Sequence, residues 1–223
     1  MTPERFERLR RCLERRQPDL TVLADNVHKS HNIAAILRTA DAVGLYGIHA
    51  VSDTNEFRHH HMVSGGSKRW VNVTLHESTR IAIDALRQDG FRIVAAHPTP
   101  DALDYRHEDY TKRVAVMMGP ELTGFSDDTL ATVDGRISIP MEGLVSSLNV
   151  SVAAALILFE ARRQRESAGL YDECRLDNRT FQSTLFEWAY PDLARRCNEK
   201  NLAYPPLGPD GALLANPLNN PNA

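Results

Sequence analysis

The sequence predicts an α/β domain on a mainly parallel sheet, over about residues 19–165, flanked by N- and C-terminal helical extensions. Three observations carry this. From Leu20 onward, strand-length apolar runs alternate with longer helix-like stretches, the rhythm of a parallel α/β sheet. The chain ahead of that rhythm is an arginine-rich amphipathic segment. The chain behind it ends in YPPLGPDGALLANPLNNPNA, whose Pro, Asn and Gly content predicts a mobile tail.

Residues 4–16 read as a helix with Phe6, Leu9 and Leu13 on one face and Arg8, Arg11 and Arg15 roughly opposite. LTVLA (20–24) is strand-like, residues 32–43 are helical, and GIHAV (47–51) is a strand. WVNVTL (70–75) is another short strand, and ESTRIAIDALRQDG (77–90) is a helix that Gly90 closes. FRIVAAH (91–97), VAVMMG (114–119) and GRISIPM (135–141) supply three more strands, before a helix over 147–165. This organisation gives a basic helical extension at 1–18, the α/β domain at 19–165, and a helical extension with a flexible tail at 166–223.

The composition, 42% apolar and 25% charged, is that of a soluble globular protein. The apolar run Val150–Phe159 is too short to span a bilayer, and the charged N-terminus carries no signal-peptide pattern. The three cysteines, Cys12, Cys174 and Cys197, are far apart and odd in number, which disfavours both a disulfide framework and a zinc site. A reducing, cytoplasmic setting suits them. The net charge of −3 conceals basic ends, including EARRQR at 160–165, on a less basic body. That asymmetry points to a polyanionic partner.

Three segments carry candidate chemistry. In HNIAAILRTADAVG (31–44), Ile33, Ile36, Leu37 and Ala40 form a core stripe, while Arg38 has Ala34, Ala35 and Ala42 as its helical neighbours. An arginine collared by alanines lets another surface approach closely. Asn32 reads locally as the helix N-cap. In VAVMMGPELTGFSDD (114–128), a buried strand ends at Gly119 and Gly124, where a ligand can approach the backbone. Glu121 stands where a dinucleotide loop needs glycine, and its charge would repel a pyrophosphate; no GxxxxGK[ST] loop is present either. In IPMEGLVSSLNVSVAAALI (139–157), Ser147 is the simplest helix cap, which leaves Ser146 and Asn149 unexplained. His59, His60 and His61 raise the question of a metal, but no further ligand cluster accompanies them, so no metal is expected.

Taken together, NIAAILRTA, MGPELTG and IPMEGLVSSLNVSVAAALI resemble the three signature motifs of the SpoU branch of the SPOUT RNA 2′-O-ribose methyltransferases. The resemblance covers about residues 20–165. The arginine-rich start before QPDLTVLADNVHKSHN, and EARRQRESAGLY after the third motif, resemble the members that act on guanosine 18 of tRNA.

The resemblance implies a deep C-terminal trefoil knot, S-adenosyl-L-methionine as cofactor, tRNA as substrate and a homodimer with active sites completed across the interface. It places cofactor contacts on the backbone around Ala96, Gly119, Ile139 and Leu148. Arg38 matches the family's catalytic arginine, and Asn32, Glu121, Ser147 and Asn149 match its other polar motif positions. Ser147 and Asn149 would either hold the loop or hydrogen-bond cofactor or ribose. Arg8, Arg11, His31, Arg163 and Arg165 are the expected tRNA contacts. The competing readings are 2′-O-methylation of ribosomal RNA, a non-catalytic RNA-binding protein on the same scaffold, and a nucleotide-dependent oxidoreductase, which Glu121 in the glycine loop disfavours.

Overall fold

A computed structural model describes residues 1–51, 69–120 and 124–215. It divides into two compact units, residues 17–170 and residues 1–16 with 171–223.

The larger unit is built on seven strands: β1 (Leu20–Asp25), β2 (Gly47–Val51), β3 (Asn72–His76), β4 (Arg92–Ala96), β5 (Leu103–Asp104), β6 (Val114–Met118) and β7 (Gly135–Ser138). They lie in the order β3-β2-β1-β6-β4-β7-β5, and every pairing is parallel. Among the described residues, its α-helices are α2 (Ser30–Ala42), α3 (Thr79–Gln88), α4 (Asp127–Thr132) and α5 (Val150–Ser167), numbered after α1 (Pro3–Glu14) of the smaller unit.

Strand periodicity explains the layers. Successive side chains point to opposite faces. Leu20, Val22 and Ala24 of β1 and Val114, Val116 and Met118 of β6 pack with Ile36 and Leu37 of α2 and with Ala154, Ile157 and Leu158 of α5. Leu23, Ala115 and Met117 face the other way, toward Ala82, Ile83 and Leu86 of α3 and Leu130 of α4. A strand covered on both faces needs no polar side, which is why VAVMM is continuously apolar.

The differences from the sequence reading have local causes. The last helix starts at Val150, not at 147, because Asn149 caps it: its Oδ1 accepts from the Ser151 backbone N–H at 2.8 Å. Ser147 is exposed in the preceding loop and is not the cap. Asn32 is not a cap either. Helix α2 begins at Ser30 with Lys29 as N-cap, and Asn32 is buried within its first turn. Short elements escaped the sequence reading, among them a 3-10 turn at Tyr105–His107. Strand β5 has two residues, and α4 is a six-residue helix held by its Ser126 cap; neither is long enough to show a period.

The smaller unit holds α1 (Pro3–Glu14), α6 (Asn178–Ala189) and α7 (Pro191–Glu199). Helix α1 starts at a Thr2 cap followed by Pro3, and it buries Phe6, Leu9 and Leu13. Arg15 lies over the Tyr171 ring and Arg16 over the Trp188 ring. Within the expected tail, residues 204–215 make specific contacts. Gly211, at φ +81°, lies so close to Phe6 that a Cβ there would sit 2.4 Å from the ring, and the Tyr190 hydroxyl donates to the Gly211 carbonyl at 2.7 Å. A proline- and glycine-rich stretch is thus fixed by one ring and one hydrogen bond, features that composition does not reveal.

Candidate active site

Because the strands are parallel, the C-terminal ends of β4, β6 and β7 open on one edge of the sheet, where open α/β sheets bind ligands. A cavity of about 530 Å³ lies there. Its walls are Ala96 to Pro98 after β4, Met118 to Pro120 with Gly124 and Phe125 after β6, and Ile137 to Ile139 with Met141 at β7. Ser146 to Val150, with Ala153 and Ile157 of α5, form another side, and Lys29 stands just ahead of α2.

At the β6 end, glycines bring the backbone against two rings. A Cβ on Gly119 would stand 2.7 Å from the Phe125 ring. Gly124 has φ +65°, and a Cβ there would approach His97 to 3.4 Å. The His97 and Phe125 rings meet edge-on, with centroids 5.8 Å apart. This side of the cavity is therefore a backbone surface backed by two rings.

The first and third motifs meet through one side chain. Asn149 Oδ1 accepts from the Ser151 N–H and, at 2.6 Å, from the Ser151 hydroxyl. That acceptance fixes the amide's orientation, so Nδ2 must be the donor on the other side. It donates to Asn32 Oδ1 at 3.1 Å. Asn149 thus caps α5 and ties it to the start of α2.

The sequence-predicted residues fall into distinct places. Ala96, Gly119, Ile139, Leu148, Ser147 and Asn149 all line the cavity, and Asn32 is joined to it through Asn149. Arg38 is exposed on α2, does not line the cavity, and makes no hydrogen bond or ion pair among the described residues. Glu121 and the His59–His61 run lie outside the described residues. Among the described residues, no group of three metal-binding side chains occurs and no helix is long and apolar enough to cross a membrane. Arg8, Arg11 and His31 are exposed; Arg11 pairs with Glu7 at 2.8 Å. Arg163 is exposed and forks onto Glu160, holding that carboxyl below its ordinary pKa.

Arg165 is a correction. It has no exposed surface with which to meet a phosphate. Its Nε donates to the Tyr110 carbonyl, Nη1 to Gln17 Oε1 and Asp19 Oδ1, and Nη2 to the Asp19 and Lys112 carbonyls, at 2.7–3.1 Å. A guanidinium has five N–H donors, and all five are used inside the fold. In EARRQR the two arginines look alike, but helical spacing turns Arg163 outward and Arg165 inward.

The sequence reading missed Lys29, His97, Phe125 and Met141 on the cavity wall. The available signal was adjacency: His97 follows Ala96 at a strand end, and Phe125 follows Gly124.

Family models match in the same regions: the SpoU rRNA Methylase family over residues 19–159, and the SpoU rRNA methylase C-terminal family over 163–216. The chain belongs to the SpoU methylase family. Among curated SpoU relatives, the tRNA (guanosine(18)-2′-O)-methyltransferase of Escherichia coli K12 is 45% identical over 217 residues, spanning 96% of this chain and 95% of its own. The solved TrmH/SpoU tRNA modifying enzyme of Aquifex aeolicus superposes with a TM-score of 0.75 at 38% identity, covering 85% of this chain and 96% of that one. The SpoU methyltransferase AviRb of Streptomyces viridochromogenes, solved in complex with the cofactor AdoMet, superposes at 0.59 with 31% identity, over 69% of this chain and 62% of that one.

Proposed function

We propose that the protein transfers a methyl group from S-adenosyl-L-methionine to a ribose 2′-oxygen of tRNA, at guanosine 18. One observation carries this: the cavity at the strand ends is walled by the four backbone positions, Ala96, Gly119, Ile139 and Leu148, that the family's cofactor contacts match. Its size suits a small-molecule cofactor, since such pockets run to roughly 300–1,000 Å³. The apolar floor of Met118, Ile137 and Ile157 and the polar rim of Ser146, Ser147 and Asn149 suit a ligand with one flat apolar end and one charged end. The tRNA assignment, in preference to ribosomal RNA, is supported by near full-length similarity to the E. coli tRNA enzyme.

S-adenosylmethionine, when bound, supplies a sulfonium-activated methyl group as the electrophile. The chain's residues must manage the acceptor. A ribose hydroxyl is a weak nucleophile and needs help in shedding its proton. Arg38, kept cationic, orients that hydroxyl or a neighbouring phosphate and stabilises the developing alkoxide. Asn32 and Asn149 brace the two motifs, Ser147 hydrogen-bonds at the rim, and Glu121 positions a basic or amide side chain.

Arg38 lies off the cavity wall, which supports completion of each site by a second copy of the chain. Val152, Leu156 and Phe159 give α5 an exposed apolar stripe at i, i+4 and i+7, a suitable face for that homodimer. Arg8, Arg11, His31 and Arg163 would hold tRNA in the cytoplasm. The insertion of β7 between β4 and β5 supports a knotted path for the C-terminal part of the domain.

The deciding experiment incubates the protein with unmodified tRNA and labelled S-adenosylmethionine and maps the methylated ribose. Label at guanosine 18 is expected. Label on ribosomal RNA alone overturns the substrate, and no label on any RNA leaves only a binding module.

A further inference from the structure

Lys29 is the one lysine or arginine among the described residues that line the cavity. Its place there is fixed through the backbone. The Lys29 carbonyl accepts from the N–H groups of Asn32 at 2.9 Å and Ile33 at 3.2 Å, so this residue opens α2. Asn32 is in turn held by Asn149 of the rim. The amide bridge thus joins the start of α2, which Lys29 opens, to Asn149 of the cavity lining. Helix α2 also presents the positive end of its dipole at this point.

A cofactor of the class proposed above has an aminobutyrate arm ending in a carboxylate. Moving a carboxylate from water into a half-apolar cavity is costly unless a donor or cation meets it. We infer that Lys29 binds the carboxylate of S-adenosylmethionine and so sets which end of the cofactor lies at the rim. This rests on the cofactor reading of the cavity. The interaction orients the methyl donor; Lys29 takes no part in moving the methyl group or the proton.

The test is calorimetric binding of S-adenosylmethionine and of its decarboxylated analogue to the full-length protein and to Lys29→Met, with Lys29→Arg as the conservative variant and Lys29→Gln should methionine disturb folding. A charge-assisted hydrogen bond predicts a loss of about 10- to 100-fold in S-adenosylmethionine affinity for Lys29→Met, largely restored in Lys29→Arg. The decarboxylated analogue should bind wild type and Lys29→Met equally. In turnover, KM for the cofactor should rise while kcat holds. Equal losses for both ligands would mean general damage to the cavity and overturn the inference. Unchanged S-adenosylmethionine affinity would overturn it too, including the case where only KM for tRNA rises, which would assign Lys29 to the RNA. Gly119→Ala separates the two levels. If wild type fails to bind S-adenosylmethionine, or binds it as well with this cavity-wall change, the cofactor reading falls and the Lys29 assignment with it.

Discussion

Replacing Arg165 with methionine should be among the most damaging single changes in the larger unit, although a surface role would make it nearly silent for folding. The side chain is fully buried, and its five donors serve Gln17, Asp19, Tyr110 and Lys112. Methionine fills most of the volume but supplies no donor, and it withdraws the cation from the buried Asp19 carboxylate. Breaking a buried pair from one side costs about 3–5 kcal/mol. For a chain of this size, 1 kcal/mol shifts Tm by roughly 2–4 °C, so a fall of about 6–20 °C is expected. Urea unfolding followed by tryptophan fluorescence would give the free energy, and calorimetry the Tm. Arg163→Met, two residues away and exposed, is the control and should stay within about 0.5 kcal/mol of wild type. If Arg165→Met melts within about 2 °C of wild type while tRNA binding weakens and loses salt dependence, Arg165 is a surface phosphate contact and the buried network is wrong.

Asn149→Ala should lose the α5 cap, about 1 kcal/mol, and the bond to Asn32, about 1 kcal/mol more; Tm should drop by roughly 4–8 °C, with Asn149→Asp, which can still cap, recovering about half. Gly119→Ala should push the Phe125 ring and lower S-adenosylmethionine affinity about 10-fold or more with little loss of Tm, read by calorimetric titration; unchanged affinity would overturn the cofactor reading of the cavity. The folded domain should also weaken at mildly acidic pH. Burial, then the charge of His76, pushes the His49 pKa down to about 4, and burial lowers His76 as well. Unfolded histidine takes up its proton near 6.5, so the stabilisation is complete above that pH and is lost as pH falls from about 6.5 toward about 4. The effect should be on the order of 1–2 kcal/mol after allowance for solvent screening, and His49→Gln should flatten the pH dependence of the urea midpoint.

The centre of the sheet was legible because β1 and β6 are buried on both sides. GIHAV was placed to the residue, and VAVMM is unmistakable between polar loops. Helix starts were less legible, since several neighbouring residues in KSHN and SSLN can each cap, and only packing selects Asn149 over Ser147. At the cavity, the glycine positions could be read from the chain. The ring that crowds Gly119 could not, because Phe125 lies six residues further on and nothing in the local pattern pairs the two. Arg165 was misread for a related reason. Its acceptors lie up to 148 residues away in sequence, beyond any local pattern. The contact of Gly211 with Phe6 likewise joins residues about 200 positions apart in sequence, beyond any local pattern.

That last contact bears on synthesis. Helix α1 leaves the ribosome well before α6 and Gly211, yet its apolar face of Phe6, Leu9 and Leu13 belongs to the unit they complete. At about 5–20 residues per second, the nascent helix waits roughly 10–40 s for those partners. Throughout that interval the larger unit can fold while three large apolar side chains stay uncovered, a window in which a chaperone at the tunnel exit has something specific to hold.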